Sequence, residues 1–385
     1  MKIVVALDSF KGSMTAEQAC LAAVRGLKKA LPDSHIIPLP VADGGEGLIE
    51  TIRHSAAFSD AELIHVDVTG PYYTQVKAAY LRSDQTAIIE MAQSCGLELT
   101  PESQRDARFA TSYGFGELVM HALESGCRRF IIGLGGSATN DAGIGFAQAL
   151  GVRFYDDDGQ PIPVPARATH MQDVSSVDRS HLPLLLQDIS IDVCCDVSNP
   201  LLGETGATYV YGQQKGGTPE TLYALEMAMS NYAAVVEDVT GRRAIHISGA
   251  GAAGGMGAAL IWFTNAVLKP GIQVVLDLIQ IDDVLSDSQL VITGEGKIDR
   301  QTAYGKVPVG VAQRAAAQGI PVIALAGSID FDMGQLSIPN IHAMSAIVQQ
   351  PMPLSQAMAS GEYLTEIAAE QMGYLLKIGQ KIAPC

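Results

Sequence analysis

A chain of 385 residues with 41 acidic against 25 basic side chains carries a net charge of -16, which repels phosphate backbones and anionic lipid and speaks against nucleic acid and membrane surfaces as partners. The length exceeds what one core usually organises, so two domains are expected, each able to bury a core of its own. Its 6 cysteines form no C-x-x-C pair, which points away from a zinc site or a disulfide framework and toward reduced thiols in a cytoplasm.

"MKIVVALD" meets Asp8 too early for a signal peptide and reads as a buried strand. "SFKGSM" follows as a loop, and Thr15 is placed to cap a helix from Ala16 to about Leu31, with Ala19, Ala22, Ala23 and Leu27 at helical spacing. "HIIPLPVAD" returns as a second strand and ends in "DGGEG", which opens another helix. "RAIHIS" at 243–248 has the composition of a strand. The uncharged segment from Ala244 to Leu268 is long enough to span a bilayer, yet its glycine-rich opening favours a tight turn entering a buried helix. Near the C-terminus, "QLVITGEGKID", a helix from Val307 to about Gln318, and "PVIALAGSI" repeat the strand-loop-helix grammar of the N-terminus. Strands alternating with helices predict an α/β fold with mainly parallel sheets. The predicted organisation is a Rossmann-like domain built from 1–91 and 288–385, with an inserted α/β domain at 92–287.

Loops that combine glycine with polar residues after apolar runs are where open α/β sheets bind ligands. Six such loops occur: "DSFKGSMTA", "VADGGEG", "GLGGSATNDAG", "CDVSNPLLGETGA", "GAGAAGGMG" and "TGEGKIDRQTAYGK". In the fifth, Gly249, Gly251 and Gly254 satisfy G-x-G-x-x-G, open to a dinucleotide, to a mononucleotide phosphate or to a purely structural turn. Ser137, Thr139 and Asn140 place hydroxyl and amide groups at another expected helix start. Asp8, Asp43, Asp196, Glu295 and Asp299 end apolar runs. Together they suit two needs of ATP chemistry, holding Mg²⁺ and accepting the proton of an attacking hydroxyl. Lys11, Lys297, Arg300 and Lys306 supply the opposite charge for phosphate and an acidic substrate. The G-x-x-x-x-G-K-[ST] loop and the protein-kinase signature set are missing.

The blocks "DSFKGSMTAEQA", "PVADGGEG", "GLGGSATNDAG", "CDVSNPLLG" and "VITGEGKIDRQTAYGKVPVG" resemble, in order and across essentially the whole chain, those of the bacterial type I glycerate kinases. The chain departs from that pattern at Leu7, Lys297 and Ala142, none of which removes a polar group from the loops. The resemblance implies two α/β domains, the first made from both chain ends, and ATP- and Mg²⁺-dependent phosphorylation of D-glycerate, with the 2-hydroxyl favoured over the 3-hydroxyl as acceptor. An NAD-dependent dehydrogenase would rest on Gly249–Gly254 alone. With the residue chemistry, the resemblance assigns Asp196, then Asp43, as the base, with Lys11 and Lys297 beside them. Glu295 and Asp299 are assigned to Mg²⁺, and Asp8, Ser9, Lys11 and Arg300 to glycerate. Ser137, Thr139, Asn140, Gly249, Gly251, Gly254 and Gly255 are assigned to ATP.

Overall fold

The computed structural model describes residues 1–45, 47–299, 302, 306–330 and 338–382. The chain divides into two compact units: unit 1 comprises Met1–Asp43, Glu50–Ser59 and Ile272–Cys385, and unit 2 comprises Gly44–Ile49 and Asp60–Gly271. Both combine helices with sheet, parallel between the strands of unit 1 and mixed in unit 2.

In chain order the strands are β1 (Lys2–Leu7) and β2 (His35–Pro38) of unit 1, then β3 (Glu62–Thr69), β4 (Gln75–Ser83), β5 (Thr86–Glu90), β6 (Arg129–Gly133), β7 (Arg153–Tyr155), β8 (Ser176–Asp178), β9 (Ser190–Cys194) and β10 (Ala266–Lys269) of unit 2. The chain then returns to unit 1 with β11 (Leu290–Gly294), β12 (Lys297–Ile298), β13 (Val322–Ala326), β14 (Ser328–Ile329) and β15 (Ala343–Ala346).

The main sheet of unit 1 is parallel throughout, in the order β15-β13-β11-β1-β2. "KIVVAL", "LVITG" and "VIALA" are almost wholly buried, as expected of strands covered on both faces. From β1 the chain builds outward to β2 on one side, while β11, β13 and β15 extend the other. The carboxyl ends of β1 and β11 therefore flank a topological switch point, where doubly wound sheets open a crevice. The helix after β1 runs Ala16–Ala30. Thr15 Oγ1 accepts from the Gln18 amide at 3.2 Å and Gln18 Oε1 accepts from the Thr15 amide at 2.9 Å, a reciprocal cap that fixes the helix start.

The main sheet of unit 2 has the order β10-β9-β6-β5-β4-β3. β10, β9, β6 and β5 are parallel and the β5-β4-β3 edge is antiparallel. The unit boundaries differ from those expected at 91/92 and 287/288. Backbone pairing decides this: β5 joins β6 in parallel from Thr86↔Arg129 to Glu90↔Gly133, which carries the β3–β5 meander into the second sheet. "RAIHIS" is a turn, not a strand. The Glu237 carboxylate accepts from the amides of Ala244 and Ile245 at 2.6 and 3.0 Å, so two donors that a strand would offer to a neighbour are already taken. The helix that follows, Ala252–Phe263, is buried along most of its length. Among the described residues no helix is long and apolar enough to cross a membrane.

Candidate active site

Unit 1 contains a cleft of ≈ 900 Å³ lined by Asp8, Ser9, Lys11, Asp43, Glu295, Lys297, Asp299 and Lys306 together with an apolar wall. It lies at the carboxyl ends of the strands. β1 delivers Asp8, whose amide donates to the Gly294 carbonyl at 2.9 Å, so the first residue beyond β1 is tied to the last residue of β11. The next residues turn back on themselves: Phe10 and Met14 exchange backbone hydrogen bonds at 2.9 and 3.1 Å, and Lys11 is left exposed at the tip.

β11 delivers Glu295. Its Oε1 accepts from the Thr302 hydroxyl at 2.6 Å, and Lys306 Nζ lies 3.7 Å from Oε2. Thr302 Oγ1 also accepts from the Asp299 amide at 3.1 Å, so one hydroxyl ties the Glu295 carboxylate to the backbone at Asp299. Lys297 Nζ stands 3.6 Å from Asp299 Oδ2 and 3.5 Å from Asp330 Oδ2.

Burial, reinforced by like charge, sets the electrostatics. Burial, then repulsion from Asp43, push the Asp8 carboxyl up to about 7; the Ser9 amide and Lys11 oppose this, and Glu295 adds a smaller push upward. Burial likewise raises Glu295, opposed by Thr302 and Lys306 and reinforced by Asp299 and Asp43. An all-oxygen donor set of this kind fits a hard divalent cation. A hard cation such as Mg²⁺ needs only one or two carboxylates and takes the rest of its shell from water.

Unit 1 thus brings together Asp8, Ser9, Lys11, Asp43, Glu295, Lys297 and Asp299. Arg300 lies outside the described residues. The remaining sequence candidates belong to unit 2. Asp196 follows β9, is exposed, and accepts from the Gly271 amide at 2.9 Å through Oδ1. Ser137, Thr139 and Asn140 follow β6 and are buried. Asn140 Nδ2 donates to Thr208 Oγ1 at 3.2 Å, while Thr139 Oγ1 and Asn140 Oδ1 lack a protein partner. The glycines at 249–255 face protein: Gly251, Gly254 and Gly255 its backbone, and Gly249 a side chain. A Cβ on Gly251 would lie 2.2 Å from the Pro200 carbonyl oxygen, one on Gly254 2.0 Å from that of Thr139, and one on Gly255 2.8 Å from Ala142 Cα; at Gly249 it would meet Cys195 Sγ at 2.7 Å.

The sequence reading missed Lys215. It is 2% exposed, and its Nζ donates to the Thr139 carbonyl at 2.6 Å and to Ser137 Oγ at 3.2 Å. A signal was available: no other lysine occurs between Lys77 and Lys269. Asp141, fully buried, accepts from the amide and hydroxyl of Ser112 at 2.9 and 2.7 Å. Burial lowers Lys215 to about 7, opposed by Asp141. An unfolded lysine titrates near 10.4, so between these values the unfolded chain binds more protons and stability must rise with pH. Denaturant titrations from pH 7 to pH 9 are expected to show that rise in the parent chain and to lack its Lys215 component, at most about 1.4 kcal/mol per pH unit, in Lys215→Met. Equal slopes in the two proteins would mean that Lys215 stays charged in the fold.

Residues 3–377 match the profile of a family described as the glycerate kinase family. The chain is 42% identical over 372 residues to a glycerate kinase of Halalkalibacterium halodurans, covering 96% of this chain and 97% of that one. It is 41% identical over 390 residues to the glycerate 2-kinase of Escherichia coli, covering 100% of both. A crystal structure from Salmonella typhimurium LT2, described as a glycerate kinase 2, aligns with a TM-score of 0.87 at 41% identity, over 99% of this chain and 100% of that one.

Proposed function

The chain belongs to the glycerate kinase family, and from that premise we propose that it transfers the terminal phosphoryl group of ATP to the 2-hydroxyl of D-glycerate in the cytoplasm. The observation that carries the proposal is the switch-point cleft, where carboxylates and lysines converge at the ends of β1 and β11 in a chain matched to glycerate kinases along its length. The choice of hydroxyl is supported by the full-length relative named glycerate 2-kinase. A nicotinamide dehydrogenase is not favoured, since Gly249–Gly254 follow a turn and Gly249, Gly251 and Gly254 pack against protein.

Phosphoryl transfer needs little covalent help from a protein and much positioning and charge neutralisation. Lys11, Lys297 and Lys306 supply cations for the phosphate oxygens and the glycerate carboxylate, and Ser9 adds a hydroxyl. Glu295 and Asp299 would hold Mg²⁺, which when bound neutralises charge on the polyphosphate. For the proton of the attacking hydroxyl we propose Asp8 in place of Asp196 and ahead of Asp43. A base works best with a pKa near the working pH, and Asp8 is raised to about 7. For Ser137, Thr139, Asn140 and the glycines 249–255 we propose a structural role within unit 2: Ser137 Oγ and the Thr139 carbonyl accept from Lys215, Asn140 donates to Thr208, and the glycines pack against protein.

ADP formation from Mg-ATP with and without D-glycerate, followed by phosphorus NMR of the product, tests the activity. A single 2-phosphoglycerate signal is expected, and no glycerate-dependent ADP would overturn the reading. Among the carboxylates, Asp43→Asn and Asp196→Asn at saturating substrates are expected to keep turnover within about tenfold of the parent, less than the ~10²–10⁴ that loss of a general base costs. A larger loss in either variant would move the base to that residue.

A further inference from the structure

The cleft of unit 1 is larger and more apolar than its charged residues require. Resting on the kinase reading above, we propose that its apolar end, formed by Ile329, Ile347, Val348, Met352, Ala357 and Met358, binds the purine base of ATP.

At ≈ 900 Å³ the cleft would be left mostly empty by a three-carbon acid, yet it is within the range of pockets that hold nucleotide-sized ligands. Its two chemistries are separated along the sheet. Asp8, Glu295, Asp299 and the lysines follow β1 and β11, and Asp43 follows β2 on the far side of β1. Ile329 ends the short strand beyond β13, and Ile347 and Val348 follow β15. From β11 to β15 is two strand spacings, about 10 Å, a distance that a nucleotide spans from base to terminal phosphate and that glycerate cannot.

The wall is also a built surface. The Ile347 amide donates to the Ala326 carbonyl at 2.8 Å, and Ser13 Oγ donates to the Met358 carbonyl at 2.6 Å, which pins the helix Leu354–Ala359 against the 8–14 loop. Val348, Met352, Ala357 and Met358 remain half-buried on the open side. Val348, Met352 and Ala357 rest on the core of unit 1 and still line the cleft; apolar side chains left open to a cleft mark a binding surface, and thioethers pack well on flat aromatic rings. Glycerate carries no apolar body for such a wall. A purine does, and the phosphates of the same molecule would reach Lys297 and Lys306.

The full-length chain is tested with two variants, Ala357→Phe, which fills the wall, and Met352→Ala, which thins it and keeps the test available if the larger side chain disturbs folding. Calorimetric binding of ADP and of inorganic tripolyphosphate is measured beside steady-state kinetics. Ala357→Phe is expected to raise Kd for ADP and KM for ATP by about tenfold or more, and Met352→Ala by about threefold, while tripolyphosphate binding and KM for glycerate stay within about twofold. Equal weakening of ADP and tripolyphosphate would overturn the proposal, since the wall would then act on phosphate. So would a rise in KM for glycerate alone, or unchanged binding throughout. Should the parent chain bind ADP yet show no glycerate-dependent turnover, the kinase reading fails while calorimetry still decides the base site.

Discussion

Asp8→Asn is expected to lower kcat for glycerate-dependent ADP formation by ~10²–10⁴, the usual range for removing a general base, with KM values changed far less. Asparagine keeps the size of the side chain and its oxygen can still accept from the Ser9 amide, now at 2.6 Å from Asp8 Oδ1, so the loop has no reason to move. What disappears is the proton acceptor. The pH profile supplies a second readout: with Asp8 raised to about 7, kcat/KM of the parent should fall as pH drops below that value, and the residual activity of Asp8→Asn should lack that limb. A variant with parent-like turnover would remove Asp8 from the role.

The same substitution should stabilise the metal-free protein at alkaline pH. A carboxyl whose folded value is raised binds its proton more tightly in the native state, so its stabilising contribution is complete below its unfolded value near 4 and is lost as pH rises through about 7. Above that point the parent chain holds a desolvated carboxylate beside Asp43 and Glu295. Asp8→Asn is therefore expected to be more stable than the parent at pH 8 by on the order of 2–4 kcal/mol and nearly equal at pH 4, read from denaturant midpoints in a chelator. Gain of stability with loss of turnover is the pattern of a site strained for function. A purely structural Asp8 would give loss of both.

Much of unit 1 could be read from residues alone because its signals are local. An apolar run ending in Asp8 or in Glu295 marks a strand end, and Thr15 with Gln18 marks a helix start. The parallel architecture and the membership of both chain ends in one unit follow from repeating that grammar. What was hidden depends on partners distant in the chain. β3–β5 look like a continuation of the N-terminal domain until β5 pairs with β6. "RAIHIS" has a strand's composition, but Glu237 takes its amides. Lys215 stands out in sequence only as a lone lysine, and the fold alone shows its ammonium group on the Thr139 carbonyl. The apolar wall draws on segments beyond β13 and β15 and on a short helix, with no motif joining them.

Gly254→Ala separates most sharply the two things a glycine-rich loop can be for. Gly254 has φ of 69°, in the left-handed region, and an added Cβ would stand 2.0 Å from the Thr139 carbonyl oxygen and 2.7 Å from Asn140 Cα. Both obstacles are backbone, so neither can swing aside. The contact is also tied from the other direction, since the Ala142 amide donates to the Gly254 carbonyl at 3.0 Å and Lys215 holds the Thr139 carbonyl. Left-handed strain of roughly 1–2 kcal/mol and overpacking of a further 1–3 should together destabilise unit 2 by ~2–5 kcal/mol. Gly241 provides the control: its φ is 68°, yet nothing lies within 4 Å of its Cβ position, so Gly241→Ala should cost only the strain, about 1 kcal/mol. Melting of the two variants side by side reads the difference. If Gly254→Ala instead melts like Gly241→Ala and loses only its affinity for ATP, the loop serves phosphate, and the structural role proposed for it here is wrong.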